Sequence, residues 1–437
     1  MTKRFLILCA ALAVLVLCGC QMRTVDQMYV PPERSEDYNS LQSAIADAMS
    51  TMEYCAPVSG ENQQIVQMAD LDGDDVEECL LYAKDGSESP LHILIFTQIN
   101  EAYIHTETIN LMGAAFEKVE YAQIDGEPGV EIVVGTQVSD QLSRSVSVFS
   151  FSTGTAVQLA TADYRNFLTV DLNANGKSEL FVLRAGPTES DRGIVELFSV
   201  RNGVSERSVE VTMSETADNL KRILTGQLYG GKPAVYIASA VDENTLITDV
   251  FALVDGVFTN VSLSNDSGTS IKTMRNYFVY ADDIDSDGVM ELPSLTPMRP
   301  IDTTRQVQGN NLIRWYSMTD RGEEVDKLYT YHSFLGGWYM QLDSQLAPSL
   351  SVVDQGSVCD FYVWDGEAPV KVMSVSALTG QNREELSTKE NRFVLYKAET
   401  AIYVARLEQA AENYDLTQET VVRSFHLIRE HWKTGEM

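Results

Sequence analysis

The sequence predicts a mainly β protein: a β-propeller of about five to seven four-stranded blades, followed by a small α+β domain. Short acidic loops recur about every 50 residues, an apolar run follows each loop, and Asn-Gly or Asp-Gly turns join later alternating runs. Such turns between alternating runs are the strongest short signal of a β-hairpin. Four antiparallel strands in each period of about 50 residues are typical of one propeller blade, and this pattern excludes a helical solenoid.

The first 19 residues have the three parts of an export signal. Lys3 and Arg4 supply the positive charge, residues 5–17 are apolar, and Leu17-Cys18-Gly19-Cys20 ends the segment. The apolar run is shorter than the roughly 20 residues that span a bilayer, although a transmembrane helix and a simple secreted protein remain alternatives. The Leu-x-Gly-Cys pattern resembles the lipobox of bacterial lipoproteins. That resemblance implies cleavage of residues 1–19, lipid on Cys20 and an extracytoplasmic protein held on the membrane.

The charge of the chain argues against nucleic acid as a partner. Its formal net charge is −31, and losing Lys3 and Arg4 with the signal would make it about −33. Nucleic-acid binding needs clustered cations, which an acidic chain of this kind lacks. Residues 20–39 are predicted to be a polar tether and residues 40–52 to include a short amphipathic helix. Cys55, Cys79 and Cys359 are interpreted either as three free thiols or as one Cys55–Cys79 disulfide plus one free thiol.

An internal repeat organises residues 60–300. Four nine-residue loops align without gaps: loop one (70–78), loop two (123–131), loop three (171–179) and loop five (283–291). A fifth copy, loop four (227–235), is degenerate. Blades are predicted to start near residues 61, 115, 163, 219 and 272, within a propeller that covers 40–347. Segments such as Val257–Val261 and Tyr277–Tyr280 are predicted to be the strands that close one blade and open the next.

Three of these loops carry oxygen ligands at positions 1, 3, 5 and 9. Alternate side chains of a tight turn converge on one point, where a backbone carbonyl at position 7 can join them. Calcium accepts six to eight oxygen ligands with loose geometry, so Ca²⁺ is the predicted ion, with a structural role. The candidate ligands are Asp70, Asp72, Asp74 and Glu78 in loop one; Asp171, Asn173, Asn175 and Glu179 in loop three; and Asp283, Asp285, Asp287 and Glu291 in loop five. The alternative is a set of solvated Asx turns.

The loops are not EF-hands, because position 12 lacks the required Glu and a strand follows each loop. They resemble instead the FG-GAP repeats of integrin-alpha propellers and of bacterial VCBS-type proteins, with their Asp-x-Asp-x-Asp-Gly-x-x-Asp calcium loops. This resemblance implies a calcium-binding propeller over residues 61–300. Loop one departs from the pattern at Asp75, where Gly is usual, and loop two at Gln123. Loop four has lost its ligands, so the resemblance implies at most three calcium sites.

Residues 348–437 are predicted to form the α+β domain, with four strands and one or two helices, one of which starts at Thr417 and continues past Phe425 to Trp432. His426 and His431 are five residues apart on that helix, which argues against joint metal binding. Aromatic residues before this domain are candidates for lining a sugar or peptide groove, although such residues are more often part of a core or a domain interface. They are Trp315, Tyr329, Tyr331, Trp338 and Tyr339.

The sequence contains no Gly-x-Ser-x-Gly, His-Glu-x-x-His or phosphate-loop motif. The leading hypothesis is therefore a non-catalytic binding or scaffolding lipoprotein whose partner is an envelope protein or glycan. The alternative is a cell-envelope hydrolase or lyase that acts on glycan at the propeller axis. A third possibility is an assembly factor or sensor of a membrane complex.

Overall fold

In the computed structural model, residues 36–138, 144–188, 190–201, 203–301, 311–366 and 368–428 are described. The predicted signal peptide, Cys20 and almost all of the predicted tether lie outside them, as do His431 and Trp432. The described chain is mainly β and forms six antiparallel sheets of four or five strands. No helix in these ranges combines the length and the apolar character needed to cross a membrane.

Sheets 1 to 4 follow one another along the chain. Sheet 1 contains β1 (Glu53–Tyr54), β2 (Val66–Ala69), β3 (Glu78–Lys84), β4 (Leu91–Ile99) and β5 (Ala102–Leu111); sheet 2 contains β6 (Ala115–Ala122), β7 (Glu131–Gln137), β8 (Arg144–Ser150) and β9 (Val157–Asp163). Sheet 3 contains β10 (Asn166–Val170), β11 (Glu179–Arg184), β12 (Ile194–Arg201), β13 (Val204–Arg207) and β14 (Val211–Thr212); sheet 4 contains β15 (Leu220–Gln227), β16 (Pro233–Ala240), β17 (Leu246–Val254) and β18 (Val257–Asn260). The main strands of each sheet are joined in hairpin order, as the turn signals predict.

Sheets 5 and 6 complete the described chain. Sheet 5 contains β19 (Glu291–Pro297), β20 (Asn311–Met318), β21 (Glu324–Ser333), β22 (Trp338–Leu342) and β28 (Phe425–Leu427); sheet 6 contains β23 (Leu350–Asp354), β24 (Val358–Asp365), β25 (Ala368–Thr379), β26 (Phe393–Lys397) and β27 (Ala401–Leu407). The α-helices are α1 (Glu36–Ala48), α2 (Arg383–Ser387) and α3 (Gln418–Ser424); the 3-10 turns are Met49–Thr51, Ala217–Asn219, Ile271–Thr273, Ala347–Ser349 and Gln409–Tyr414.

Neighbouring sheets share apolar cores through the two faces of their central strands. In β11, Leu180 and Val182 pack toward sheet 2, whereas Phe181 and Leu183 pack toward sheet 4. Side chains alternate across a strand, so a strand buried on both faces is apolar at nearly every position. Similar shared cores join sheet 1 to sheet 2, sheet 4 to sheet 5 and sheet 5 to sheet 6. The apolar runs after the loops are therefore the central strands of stacked sheets.

Helix α1 covers the face of sheet 1 that points away from sheet 2. Leu41, Ala44 and Ile45 of the helix pack on Cys79 and Leu81 of β3. The short amphipathic helix predicted before the first sheet is thus present. Cys55, Cys79 and Cys359 are free thiols, which agrees with the first of the two cysteine interpretations.

Two predicted elements are wrong. The segment 277–280 forms no strand, and only an isolated bridge between Asp282 and Glu291 opens sheet 5. The helix that begins at Thr417 ends at Ser424, and Phe425–Leu427 pairs with β22 instead. This pairing packs Phe425 against Trp338, with ring centroids 5.5 Å apart, so that the core contact overrides the helical spacing. A separate C-terminal domain is not confirmed, since sheets 5 and 6 share one apolar core.

Candidate metal centre

Loops one, three and five have the same backbone conformation. Positions 4 and 6 of each loop have a positive φ: Gly73 (76°) and Asp75 (66°), Ala174 (56°) and Gly176 (84°), Ser286 (63°) and Gly288 (86°). Left-handed residues bend a chain sharply, and glycine tolerates this conformation best. The sequence alignment of the three loops therefore corresponds to a shared turn, even where Ala or Ser replaces glycine.

The position-1 carboxylate holds each of these turns together. Asp70 accepts hydrogen bonds from the backbone N–H groups of Gly73 (2.7 Å) and Asp75 (3.1 Å). These donors are at positions 4 and 6 of loop one, whereas Asp171 and Asp283 accept hydrogen bonds from the N–H groups at positions 5 and 6 of loops three and five. These bonds direct the position-1 carboxylate into the turn, where a ligand of a bound cation would have to be.

A glutamate at position 9 connects the end of the loop to its start in loops one, two, three and five. Glu78, Glu131, Glu179 and Glu291 are buried, and each accepts a hydrogen bond from the buried backbone N–H at position 2. Burial is the main cause that raises the pKa of Glu78, Glu131 and Glu291 to about 7, and it also raises the pKa of Glu179. A buried carboxylate of this kind favours either a proton or a nearby cation.

Loop one brings three of its four predicted ligands together. One oxygen each from Asp70, Asp72 and Glu78 lies within 4.8 Å of the other two, whereas Asp74 is outside this group. No basic side chain of the described residues forms an ion pair with these carboxylates. Burial is the main cause that raises the pKa of Asp72, and the neighbouring carboxylates raise it further. An all-oxygen donor set with an uncompensated negative charge fits Ca²⁺.

Loop three contains a weaker donor set. The Asn173 amide donates a hydrogen bond to Glu179, and the Asn175 side chain accepts one from the backbone N–H of Lys177 at 2.8 Å. Asp171 and Glu179 are the two carboxylates among its four predicted ligands, whereas loop one has four. Loop three therefore offers a cation half the formal negative charge that loop one offers.

Loop five also gathers three carboxylates, from Asp283, Asp285 and Glu291. A side chain that the sequence pattern does not reveal lies near three of its four predicted ligands. The Lys327 ammonium, from β21, contacts Asp287 and lies 3.4 Å from Asp285 Oδ2 and 3.9 Å from Glu291 Oε1. Sequence reasoning missed Lys327 because it lies 36 residues after Glu291 and outside the repeat motif.

Loops two and four use other means to close the turn. Gln123 accepts a hydrogen bond from Gly126 at 2.8 Å, and its amide nitrogen donates to the backbone carbonyl of Glu127 and lies 3.5 Å from that of Gly129. These two carbonyls are at positions 5 and 7. In loop four, Leu228 donates to the Lys232 carbonyl at 2.8 Å, which replaces the missing position-9 glutamate with a tight turn.

The loops of neighbouring sheets are joined in pairs. The N–H at position 8 of one loop donates to the position-1 carbonyl of the preceding loop: Val130 to Asp70 (3.1 Å), Ser178 to Gln123 (2.7 Å) and Met290 to Gln227 (2.9 Å). A Cβ atom at Gly129 would come within 2.4 Å of the Leu71 carbonyl oxygen, so glycine permits this approach. The loops therefore link the sheets, and ordering one loop supports its neighbour.

The aromatic residues considered for a groove are mostly in the core. Trp315, Tyr331, Trp338 and Tyr339 are buried, and only Tyr329 is partly exposed. A cavity of about 760 Å³ lies beside them, lined in part by Tyr277, His332 and Asp354. Among the described residues, Asp354 is the one carboxylate that lines this cavity, and it accepts hydrogen bonds from Tyr331 (2.9 Å) and Ser333 (2.8 Å).

Neither the comparison with protein families nor the comparison with curated proteins gives a match. Among solved structures, the chain is similar to a rhamnogalacturonan lyase of Bacillus licheniformis, with 11% identity, 67% of each chain covered and a TM-score of 0.30. Rhamnogalacturonan lyase YesW gives 12% identity, 66% of each chain and a TM-score of 0.32. The exotype lyase YesX gives 13% identity, 74% of this chain, 65% of that chain and a TM-score of 0.30. Likeness at this level supports no shared activity.

Proposed function

We propose that this protein is an extracytoplasmic lipoprotein, anchored through lipid on Cys20, which serves as a non-catalytic binding scaffold stabilised by calcium. The observation that carries the calcium part of the proposal is the uncompensated oxygen cluster of Asp70, Asp72 and Glu78 in loop one. The anchoring part rests on the Leu17-Cys18-Gly19-Cys20 pattern. The two parts are independent and are tested separately.

Calcium in loop one would bind the carboxylates of Asp70, Asp72 and Glu78, joined by Asp74 and the Val76 carbonyl. An ion held by the folded protein alone stabilises it by RT ln(1 + [Ca²⁺]/Kd), or about 2.7 kcal/mol at 100 times Kd. Because the position-1 carbonyl of loop one accepts a hydrogen bond from loop two, this ion would also order the junction of sheets 1 and 2. Loop three would bind a second ion more weakly.

We further propose that the sheets are arranged as the blades of a propeller. Support comes from their hairpin order, from the cores shared by successive sheets and from the paired loops on one side. Helix α1 would then occupy the position beside sheet 1 where a ring-closing sheet would otherwise pack. Small-angle scattering of the purified protein tests this arrangement, since a ring of blades and an extended row of sheets differ in maximum dimension.

A rigid body of stacked sheets on a lipid anchor is suited to presenting a binding face near the membrane. The expected partner is an envelope protein or glycan. The test is co-sedimentation of the purified protein with cell-wall polysaccharide and in vivo cross-linking in calcium and in chelator, with assays for released reducing ends and unsaturated sugars on the same samples. Calcium-dependent binding without product supports the scaffold; product formation supports the hydrolase or lyase alternative.

Lipid attachment is tested by labelling cells with a clickable palmitate analogue. The wild-type chain should carry label and fractionate with membranes, whereas Cys20→Ser should lose both properties. Cys18→Ser is the matched control, because Cys18 would be removed with the signal peptide. Label that persists in Cys20→Ser would overturn the anchor.

A further inference from the structure

We propose that Lys327 is the resident cation of loop five and excludes calcium from it, so that calcium binding is concentrated in loop one. This inference rests on the calcium-binding function proposed above, and it assigns different roles to two loops whose motifs look equivalent. The sequence pattern alone ranks loop five with loop one, since both have three Asp residues and a Glu at positions 1, 3, 5 and 9.

The contacts of Lys327 place its charge where a metal would be. The ammonium contacts Asp287 at position 5, and it lies 3.4 Å from Asp285 Oδ2 at position 3 and 3.9 Å from Glu291 Oε1 at position 9. The Lys327 side chain is 19% exposed, so it is largely packed against the protein. A calcium ion would need the same oxygens and would have to displace the ammonium first.

A β-bulge aims Lys327 at the loop. In the pairing of β20 with β21, Trp315 pairs with Leu328 and Tyr316 pairs with Asp326, which leaves Lys327 as the extra residue. Bulges redirect side chains and are fixed features of a strand. The backbone of sheet 5 therefore positions Lys327 beside the loop.

Sheet 1 has the same bulge with a neutral residue in it. Ile95 pairs with Glu107 and Phe96 pairs with His105, which leaves Thr106 as the extra residue. Phe96 is opposite Cys79, the residue after Glu78, just as Tyr316 is opposite Leu292, the residue after Glu291. Thr106 is thus the structural equivalent of Lys327, and its hydroxyl lies 3.0 Å from that of Thr97. Loop one consequently has no ammonium of this origin.

Loop two supports the same principle with different chemistry. The Gln123 amide nitrogen donates to the Glu127 carbonyl and lies 3.5 Å from the Gly129 carbonyl, at positions that would face a metal. A side-chain donor of the protein thus takes the place of a cation in loop two, and the Lys327 ammonium does so in loop five. Both loops are closed without an ion, whereas loop one retains unpaired carboxylate charge.

The test is a reciprocal exchange of the two bulge residues in the full chain, measured by calcium titration calorimetry at pH 8. Lys327→Thr should bind one more Ca²⁺ per chain than the wild type, and Lys327→Thr with Asp285→Asn should lose that added ion. Thr106→Lys should bind one fewer, or weaken the loop-one ion at least tenfold. Lys371→Thr is the matched control, because Lys371 also makes a cross-strand ion pair, with Asp360 at 2.8 Å, but contacts no loop of the repeat.

Circular dichroism first establishes that each variant is folded, and Lys327→Gln serves as the second variant if Lys327→Thr is not. An added ion in either variant supports the proposal, whether or not the wild type binds calcium. Folded variants with unchanged stoichiometry overturn it. A wild type that binds no calcium while Lys327→Thr binds one ion contradicts the proposed calcium function and leaves the assignment of Lys327 intact.

Discussion

Replacing Asp72 by Asn should raise the stability of the protein in chelator and reduce the stability that the protein gains from calcium. One oxygen of Asp72 lies within 4.8 Å of one oxygen each from Asp70 and Glu78. The wild-type loop therefore holds two repulsive charge pairs that involve Asp72. Each pair costs about 1 kcal/mol at water-like screening, which is the appropriate limit for a partly exposed carboxylate. Asn keeps the oxygen that accepts the hydrogen bond from the Asp74 N–H at 3.2 Å. The substitution therefore removes charge with little change in the turn.

In chelator, the variant should gain up to about 2 kcal/mol in unfolding free energy, because the repulsion is removed. The stability that calcium adds should be smaller than in wild type by at least about 1.4 kcal/mol, since a ligand lost from the site weakens binding by tenfold or more. The assay is chemical denaturation at pH 8, where Glu78 is ionised in view of its pKa of about 7. Glu127→Gln in loop two is the control, and calcium should stabilise it as much as it stabilises the wild type. An equal calcium-dependent gain in Asp72→Asn and in the wild type would refute the reasoning.

Three further substitutions test other parts of the structure. Ala174→Gly should raise the unfolding free energy by about 1 kcal/mol in denaturant titrations, because Ala174 has a φ of 56° that glycine adopts without strain; an unchanged midpoint would contradict this. Asp249→Ala should lower the unfolding free energy by about 3 kcal/mol or more. The fully buried carboxylate accepts hydrogen bonds from Ser214 and Ser270, and the variant would leave these donors unpaired. A loss below about 1 kcal/mol would contradict this prediction. His332→Phe should reduce the acid sensitivity of stability. Burial lowers the pKa of His332 to about 3 in the folded protein, whereas the pKa in the unfolded chain is near 6.5. Between these two values the unfolded chain binds one more proton than the folded protein. The unfolding free energy therefore falls by about 1.4 kcal/mol for each pH unit as the pH decreases. Denaturation midpoints of variant and wild type from pH 4 to 7 should diverge accordingly, and parallel curves would exclude this role for His332.

The repeat and the hairpins could be predicted from sequence because their causes are local. The hairpin of β17 and β18 turns at Asp255-Gly256, where both residues have a positive φ, and the predicted strand at Val257 begins where β18 begins. Loops one, three and five share a turn that is specified by a position-1 carboxylate and its own neighbours. In such cases the information lies within about ten residues, so periodicity and turn chemistry suffice.

The errors arose where distant contacts decide the structure. Phe425 has helical spacing, but it pairs in β28 with Met340 of β22 and packs against Trp338. The predicted strand around Tyr277 is replaced by an irregular segment that Arg275 supports, because the buried guanidinium donates to the Val279 carbonyl at 2.6 Å and to the Thr273 carbonyl at 2.9 Å. No local pattern reveals these partners.

The candidate site shows the same division. Sequence spacing identifies the carboxylates of both loop one and loop five, but the difference between the two loops is the residue at an equivalent bulge, Thr106 or Lys327. That residue lies on the third strand after the loop, 28 residues after Glu78 in one case and 36 residues after Glu291 in the other, so its spacing from the loop is not fixed. The carboxylates of the two loops could therefore be identified from sequence. The position of an ammonium that would compete with a metal could be found only from the strand register.

The most direct test of the calcium assignment is anomalous diffraction from crystals of the wild-type protein grown in CaCl₂ and measured at a long wavelength. A peak should lie among the oxygens of Asp70, Asp72, Glu78 and the Val76 carbonyl, loop two should have none, and the Lys327 ammonium should remain within loop five. An ordered loop one without a peak, or a calcium peak in loop two, would contradict the account.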